Sequence, residues 1–85
     1  MRGTGRLVHL LRNTPVREII RALERDGFIR NNRARTGGYW YRHPDGRSLP
    51  IHYHTGGETL TRKTLASVIR ATEWTEDDLH RLGLL

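Results

Sequence analysis

Tyr39-Trp40-Tyr41-Arg42-His43-Pro44-Asp45-Gly46-Arg47-Ser48-Leu49-Pro50-Ile51-His52-Tyr53-His54 decides the fold, because it reads as a β-hairpin. Pro44 and Asp45 suit the two central positions of a type I turn, and Gly46 suits the left-handed residue that follows in a bulged three-residue loop. Strand alternation then sorts the flanks into faces. In the first strand, about 39–43, Tyr39, Tyr41 and His43 oppose Trp40 and Arg42; in the second, Leu49, Ile51 and Tyr53 oppose Pro50, His52 and His54. Pro50 offers no ladder N–H, which points to an edge strand or a bulge. One sheet face can therefore pack on helices while the other meets solvent or a ligand. The flanks mix rings, guanidiniums and imidazoles, placing groups that bind phosphate beside groups that exchange protons near neutral pH.

Working outward toward the N-terminus, a short strand is expected to start at Phe28 and Ile29. It runs into the basic, polar segment 30–38, a loop or fraying strand that ends in Gly37 and Gly38. Before it, Val16, Ile19, Ile20 and Leu23 recur at helical spacing. Thr14 is the expected N-cap of that helix, Pro15 its first residue and Gly27 its left-handed stop. Residues 1–13 read as an N-terminal extension. The apolar run 7–11, interrupted by His9, is too short to span a membrane and is expected to pack on the domain.

Toward the C-terminus, Thr55-Gly56-Gly57-Glu58 breaks the sheet, and Thr61 or Thr59 caps a helix carrying Leu65, Val68 and Ile69. Thr75 caps a short helix that opens with Glu76-Asp77-Asp78 and carries Leu79 and Leu82, with Trp74 as its anchor. Helix, three antiparallel strands, helix and short helix make an α+β two-layer fold. A single domain spans 1–85: the extension 1–13, a core 14–72 and an acidic C-terminal helix 73–85.

The chain has 85 residues, so its core is small and every element must contribute to it. It has no cysteine, which excludes disulfides and thiolate metal sites and favours a reducing compartment, the cytoplasm by default. Of 15 basic residues 14 are Arg, against 9 acidic ones, for a formal charge of +6 and a pI near 11.0. Arginine grips phosphate with a planar fork and stacks on rings, so this excess points to nucleic acid. The charge is uneven: residues 1–35 hold nine Arg and three acids, whereas 73–85 hold one Arg and four acids.

Arg30, Arg33 and Arg35 in the basic segment, Arg42 and Arg47 on the hairpin, and Arg62 with Lys63 at a helix start are the expected nucleic-acid contacts. That helix start lacks acids, so cations there fit its dipole poorly unless an anion binds. Tyr39, Trp40, Tyr41 and Tyr53 are placed either to stack bases or to fill the core, with Tyr41 or Trp40 expected buried. His52 and His54 lie two apart on one strand face, and His43 can approach them across the hairpin. They are the imidazoles available for proton transfer. As a zinc trio they lack a fourth ligand, so no metal and no cofactor is expected. No Ser-His-Asp order, Walker-type loop or spaced acidic pair offers another enzyme class.

Several words of the sequence, taken in order, carry a resemblance. They are 17–23 closing at Asp26-Gly27-Phe28, the hairpin words 41–47 and 51–54, and Thr64-Leu65-Ala66-Ser67-Val68-Ile69 followed by Trp74-Thr75-Glu76. Over about 16–82 the chain resembles the HicA, or YcfA-like, family of bacterial toxins. The resemblance implies a double-stranded-RNA-binding-domain-like fold and metal-independent cleavage of mRNA. It also implies neutralisation by a HicB-like antitoxin, as a hetero-oligomer or dimer without membrane attachment. The family's catalytic histidine lies at the start of the second strand, and that position falls on Gly38 without a gap or on Tyr39 with one. Cleavage needs a base for the ribose 2′-hydroxyl and an acid for the leaving 5′-oxygen, and imidazole serves both. Glycine offers only backbone and a phenol is too weak an acid, so the chain as written is expected to be cleavage-impaired. Natural divergence and deliberate replacement both account for such a change. A non-catalytic RNA-binding or partner-binding module on the same fold is the alternative. A helix-turn-helix fits less well, because the sequence is not expected to place two adjacent helices with a short turn before the hairpin.

Overall fold

A computed structural model of the protein describes residues 3–31 and 38–85. Its elements in chain order are α1 (Thr4–Leu10), α2 (Val16–Asp26), β1 (Ile29–Asn31), β2 (Gly38–Arg42), β3 (Ser48–His52), α3 (Arg62–Thr72) and α4 (Glu76–Arg81). The strands form one antiparallel sheet in the order β1-β2-β3, giving the α+β architecture expected for the double-stranded-RNA-binding-domain-like class.

The hairpin turn fixes the register of the sheet. The His43 N–H donates to the Arg47 carbonyl (2.8 Å) and the Gly46 N–H to the His43 carbonyl (2.9 Å), with Gly46 left-handed at φ 102°. Pairing then proceeds outward through Arg42 with Ser48, Tyr41 with Leu49, Trp40 with Pro50, Tyr39 with Ile51 and Gly38 with His52. Pro50 sits on an edge strand, β3, where a missing donor is tolerated. The inner face sends Tyr41, Leu49 and Ile51 into the core, and the outer face exposes Trp40, Arg42, Pro50 and His52.

Helix α2 starts one residue later than the sequence suggests. Thr14 is not its cap. Pro15 takes the N-cap position with extended backbone, and the first two helical N–H groups find carbonyls in a distant loop: Val16 donates to Glu58 (2.8 Å) and Arg17 to Gly56 (3.0 Å). Tertiary partners thus replace the side-chain oxygen that a local reading assigns to Thr14. The other end matches expectation, with Gly27 left-handed at φ 107°. Thr61 caps α3 by accepting from the Thr64 N–H, and Thr75 caps α4 in a reciprocal box with Asp78.

The stretch read as an extension forms α1, which packs against α3 and places Leu7, Val8 and Leu11 in the same core as Val16, Ile19, Leu23, Leu65, Val68 and Leu79. Among the described residues no helix is long and apolar enough to cross a membrane.

Asp26, at the last position of α2, ties the far ends of the chain together. Its carboxylate accepts from Trp74 Nε1 (2.9 Å) and Arg81 Nη2 (3.1 Å) and lies 3.2 Å from Arg47 Nη1. Trp74 is buried, as expected of an anchor.

Candidate nucleic-acid interface

The outer sheet face is a set of cross-strand rows. Ile29, Arg42 and Ser48 form one, Asn31, Trp40 and Pro50 the next, and Gly38 with His52 the last. Trp40 keeps 39% of its surface exposed, which leaves a ring face available between Arg42 on its own strand and His52 on the cross-strand diagonal. Beside this face, a groove of about 450 Å³ runs between β3 and α3, lined by Ser48, Pro50, His52, Lys63, Thr64 and Ser67 among others.

The expected cations separate into distinct environments. Arg42 on the outer face and Arg62 and Lys63 in the first turn of α3 are exposed, and no ion pair involves them among the described residues. Arg30 faces the other way: it pairs with Tyr41 in register and lies over the Tyr39 ring at 4.6 Å, on the helix side of the sheet. Arg47 is committed to the fold. Its Nε donates to Asp45 (2.8 Å), its Nη1 reaches Asp26 and the Thr72 carbonyl, and its guanidinium lies 5.0 Å from the Phe28 ring centroid. Arg33 and Arg35 lie outside the described residues.

The histidines are likewise divided. His43 does not approach the other two across the hairpin, because register puts it beyond the Arg42–Ser48 pair, at the opposite end from His52. Its Nε2 donates to the Asp26 carbonyl (2.8 Å), its Nδ1 accepts from the Asp45 N–H (3.1 Å), and its ring meets Phe28 edge-on. Both nitrogens are thus engaged in structure. His54 follows β3, where its N–H and that of Thr55 donate to the Glu58 carboxylate, holding that acid below the usual carboxylate range. No group of three His, Cys, Asp or Glu suited to a metal ion occurs among the described residues.

His52 has a different setting. It faces Gly38 in register, and a Cβ built on Gly38 meets the His52 ring at 2.5 Å from Cδ2, 2.7 Å from Nε2 and 2.8 Å from Cγ. The imidazole lies directly over the glycine, in the volume that any side chain at 38 would need. Tyr39, the gapped position expected from sequence for the family histidine, points to the inner face and packs 5.7 Å from the Tyr53 ring, away from the groove.

The family model described as the HicA toxin of bacterial toxin-antitoxin matches residues 16–74. The chain belongs to the HicA toxin family. The matched span runs from the first residue of α2 to the anchor Trp74, so the HicA-type region contains the whole sheet, both long helices and the groove, while α1 and α4 flank it. No curated protein matches the chain.

Ser48, Thr64 and Ser67 were not singled out by sequence. Hydroxyl residues carry no pattern of their own, and only the approach of α3 to β3 brings them into one groove with His52 and Lys63. The Gly38–His52 pair had a signal, since counting outward from the Pro44-Asp45-Gly46 turn sets those two positions opposite each other.

Proposed function

We propose that this HicA-family toxin acts on RNA. In this reading RNA is bound across the outer sheet face and the β3–α3 groove, and a HicB-like antitoxin neutralises the toxin by covering that surface. The supporting observation is the join between an exposed Trp40, flanked by Arg42, and a groove that carries Lys63 with hydroxyl groups. Phosphates would meet Arg42, Arg62 and Lys63, while Trp40 offers a stacking platform to an unpaired base. Such contacts position a strand without reading its sequence.

Binding of a structured mRNA fragment, followed over a range of salt concentrations, tests this reading. Affinity is expected to fall steeply and linearly on a log–log plot as counterions compete. Charge reversal at Arg33 and Arg35, which stay in the proposed footprint, is expected to flatten that slope. Binding that ignores salt overturns the RNA assignment. Co-expression with an adjacent antitoxin gene tests the partner, and the expected outcome is a complex that no longer binds RNA.

A second reading has an observation of its own. Gly38 brings no side chain to the position where the family places its imidazole, which favours a non-catalytic RNA-binding or partner-binding module. The two part on whether RNA is cut.

A further inference from the structure

We infer that His52 is the catalytic base of an RNA phosphodiester site in the β3–α3 groove, and that Gly38 exists to give its ring room. The inference rests on the RNA-directed reading above. Three features of the molecule meet at this point. The His52 imidazole lies over the Gly38 Cα, and even a methyl group at 38 would stand 2.5 Å from its Cδ2. The same residue lines a groove together with the Lys63 side chain and the hydroxyl residues Ser48, Thr64 and Ser67. The two other histidines of the hairpin region stand apart, His43 with both ring nitrogens engaged and His54 outside the groove.

These groups form a consistent set for metal-free cleavage. A phosphate seated in the groove meets the Lys63 ammonium, which offsets the charge that builds on the non-bridging oxygens. Ser48 and Thr64 offer hydroxyl donors to the same oxygens, while the Ser67 hydroxyl donates to the Lys63 carbonyl (3.2 Å) at the groove wall. His52 takes the proton from the ribose 2′-hydroxyl, the 2′-oxygen forms a bond to phosphorus, and the P–O5′ bond breaks. The departing 5′-oxygen takes a proton from groove water, and the imidazolium returns one to the hydroxide so formed. The products are a 2′,3′-cyclic phosphate and a 5′-hydroxyl end, with no net change in protons and no oxidant or metal consumed. Proton transfer from a cross-strand partner thus replaces transfer from a residue at 38.

The register of the hairpin makes this substitution possible. Residues 38 and 52 form one cross-strand pair, so their side chains start from neighbouring points on the same face. An imidazole rooted on either strand reaches the same volume, provided that the opposite residue leaves it empty. Glycine is the residue that does so.

The test follows cleavage of a defined RNA in the presence of a chelator, together with RNA affinity, for the unsubstituted protein and for His52→Ala, Gly38→Ala and His80→Ala. His80 lies on α4, outside the groove. The expected result is cleavage by the unsubstituted protein and by His80→Ala, with His52→Ala slower by at least about 100-fold. Affinity should change little, because phosphate contacts dominate it. Free imidazole should restore part of the lost rate to His52→Ala, which a merely structural histidine would not allow. Gly38→Ala should also slow cleavage while retaining His52, because its methyl group displaces the ring. Thermal melting of each variant separates loss of fold from loss of chemistry.

Equal cleavage by His52→Ala overturns the inference and leaves an RNA-cutting toxin that uses another group. RNA binding without cleavage by the unsubstituted protein also overturns it, in favour of the non-catalytic module. Failure to bind RNA at all overturns the RNA-directed reading itself.

Discussion

Tyr41 shows how one residue records the tension between packing and polarity. Its ring is fully buried at the centre of the sheet, and its hydroxyl has no hydrogen-bond partner among the described residues. A buried donor left unmatched costs about 1–3 kcal/mol. Tyr41→Phe is therefore expected to leave stability unchanged or raise it by about 1 kcal/mol in urea unfolding, and a clear loss would mean that the hydroxyl is satisfied. Burial, reinforced by Tyr53, also pushes the phenol from an ordinary value of 10.0 up to about 12. The unfolded chain then releases this proton before the folded one does. Stability associated with Tyr41 is fully present below about pH 10 and declines as pH rises toward about 12, and the alkaline loss should be smaller in Tyr41→Phe.

At the scale of elements, the end of α2 holds the domain together through two neighbouring residues. Burial pushes the Asp26 carboxyl up, but hydrogen bonds from Trp74 and Arg81 and the charges of Arg47 and Arg81 outweigh it and hold the group below its ordinary value of 3.8. Because the folded-state value is the lower one, the stability it contributes is present above the ordinary carboxylate pKa of about 4 and is lost as pH falls through the lowered value. Asp26→Asn is expected to cost about 2 kcal/mol at neutral pH, since it leaves the half-buried Arg47 short of a charge partner. That variant should also lose less of its remaining stability in acid than the parent protein, as followed by denaturant midpoints from pH 7 to 2. Gly27, one residue on, is left-handed and has the His43 Nε2 only 2.9 Å from the position of an added Cβ. Gly27→Ala combines the left-handed penalty of about 1–2 kcal/mol with that crowding, and should lower the melting temperature more than Thr75→Ala, which loses a cap worth about 1 kcal/mol.

Over the whole molecule, net charge says less than its distribution. Arg6, Arg21, Arg47 and Arg81 are held in ion pairs within the fold, and Arg25 donates to the Leu82 carbonyl. The cations left over near the outer face and the groove are Arg42, Arg62 and Lys63. Reversing the charge of all three is expected to weaken RNA binding and to lower the salt slope by about 3, because each phosphate that is no longer neutralised keeps its counterion. Arg47→Glu belongs to a different class: it should lower the melting temperature, because it sets a carboxylate against Asp26 and Asp45. A variant set in which Arg47 affects only RNA affinity would contradict this division.

The hairpin, its turn and its faces were legible because they depend on contacts between residues close in sequence. Pro44, Asp45 and Gly46 specify the turn, the turn specifies register, and register already sets Gly38 against His52. Gly27 and Thr75 were readable as helix boundaries for the same local reason, and the cap of α3 was narrowed to Thr59 or Thr61. Thr14 misled, because the first N–H groups of α2 are satisfied by residues 56 and 58, some forty positions away. The arginines were equally opaque: guanidiniums look alike in sequence, and only the packed fold sends Arg47 to Asp26, Arg30 to the Tyr39 ring and Arg42 to solvent. Sequence by itself therefore determined the α+β fold, the hairpin turn with its two faces and the absence of a side chain at position 38. Tertiary structure alone decided that the His52 ring fills that space beside Lys63, because the approach of α3 to β3 and the choice of side-chain rotamer are settled by packing across the chain rather than by neighbours along it.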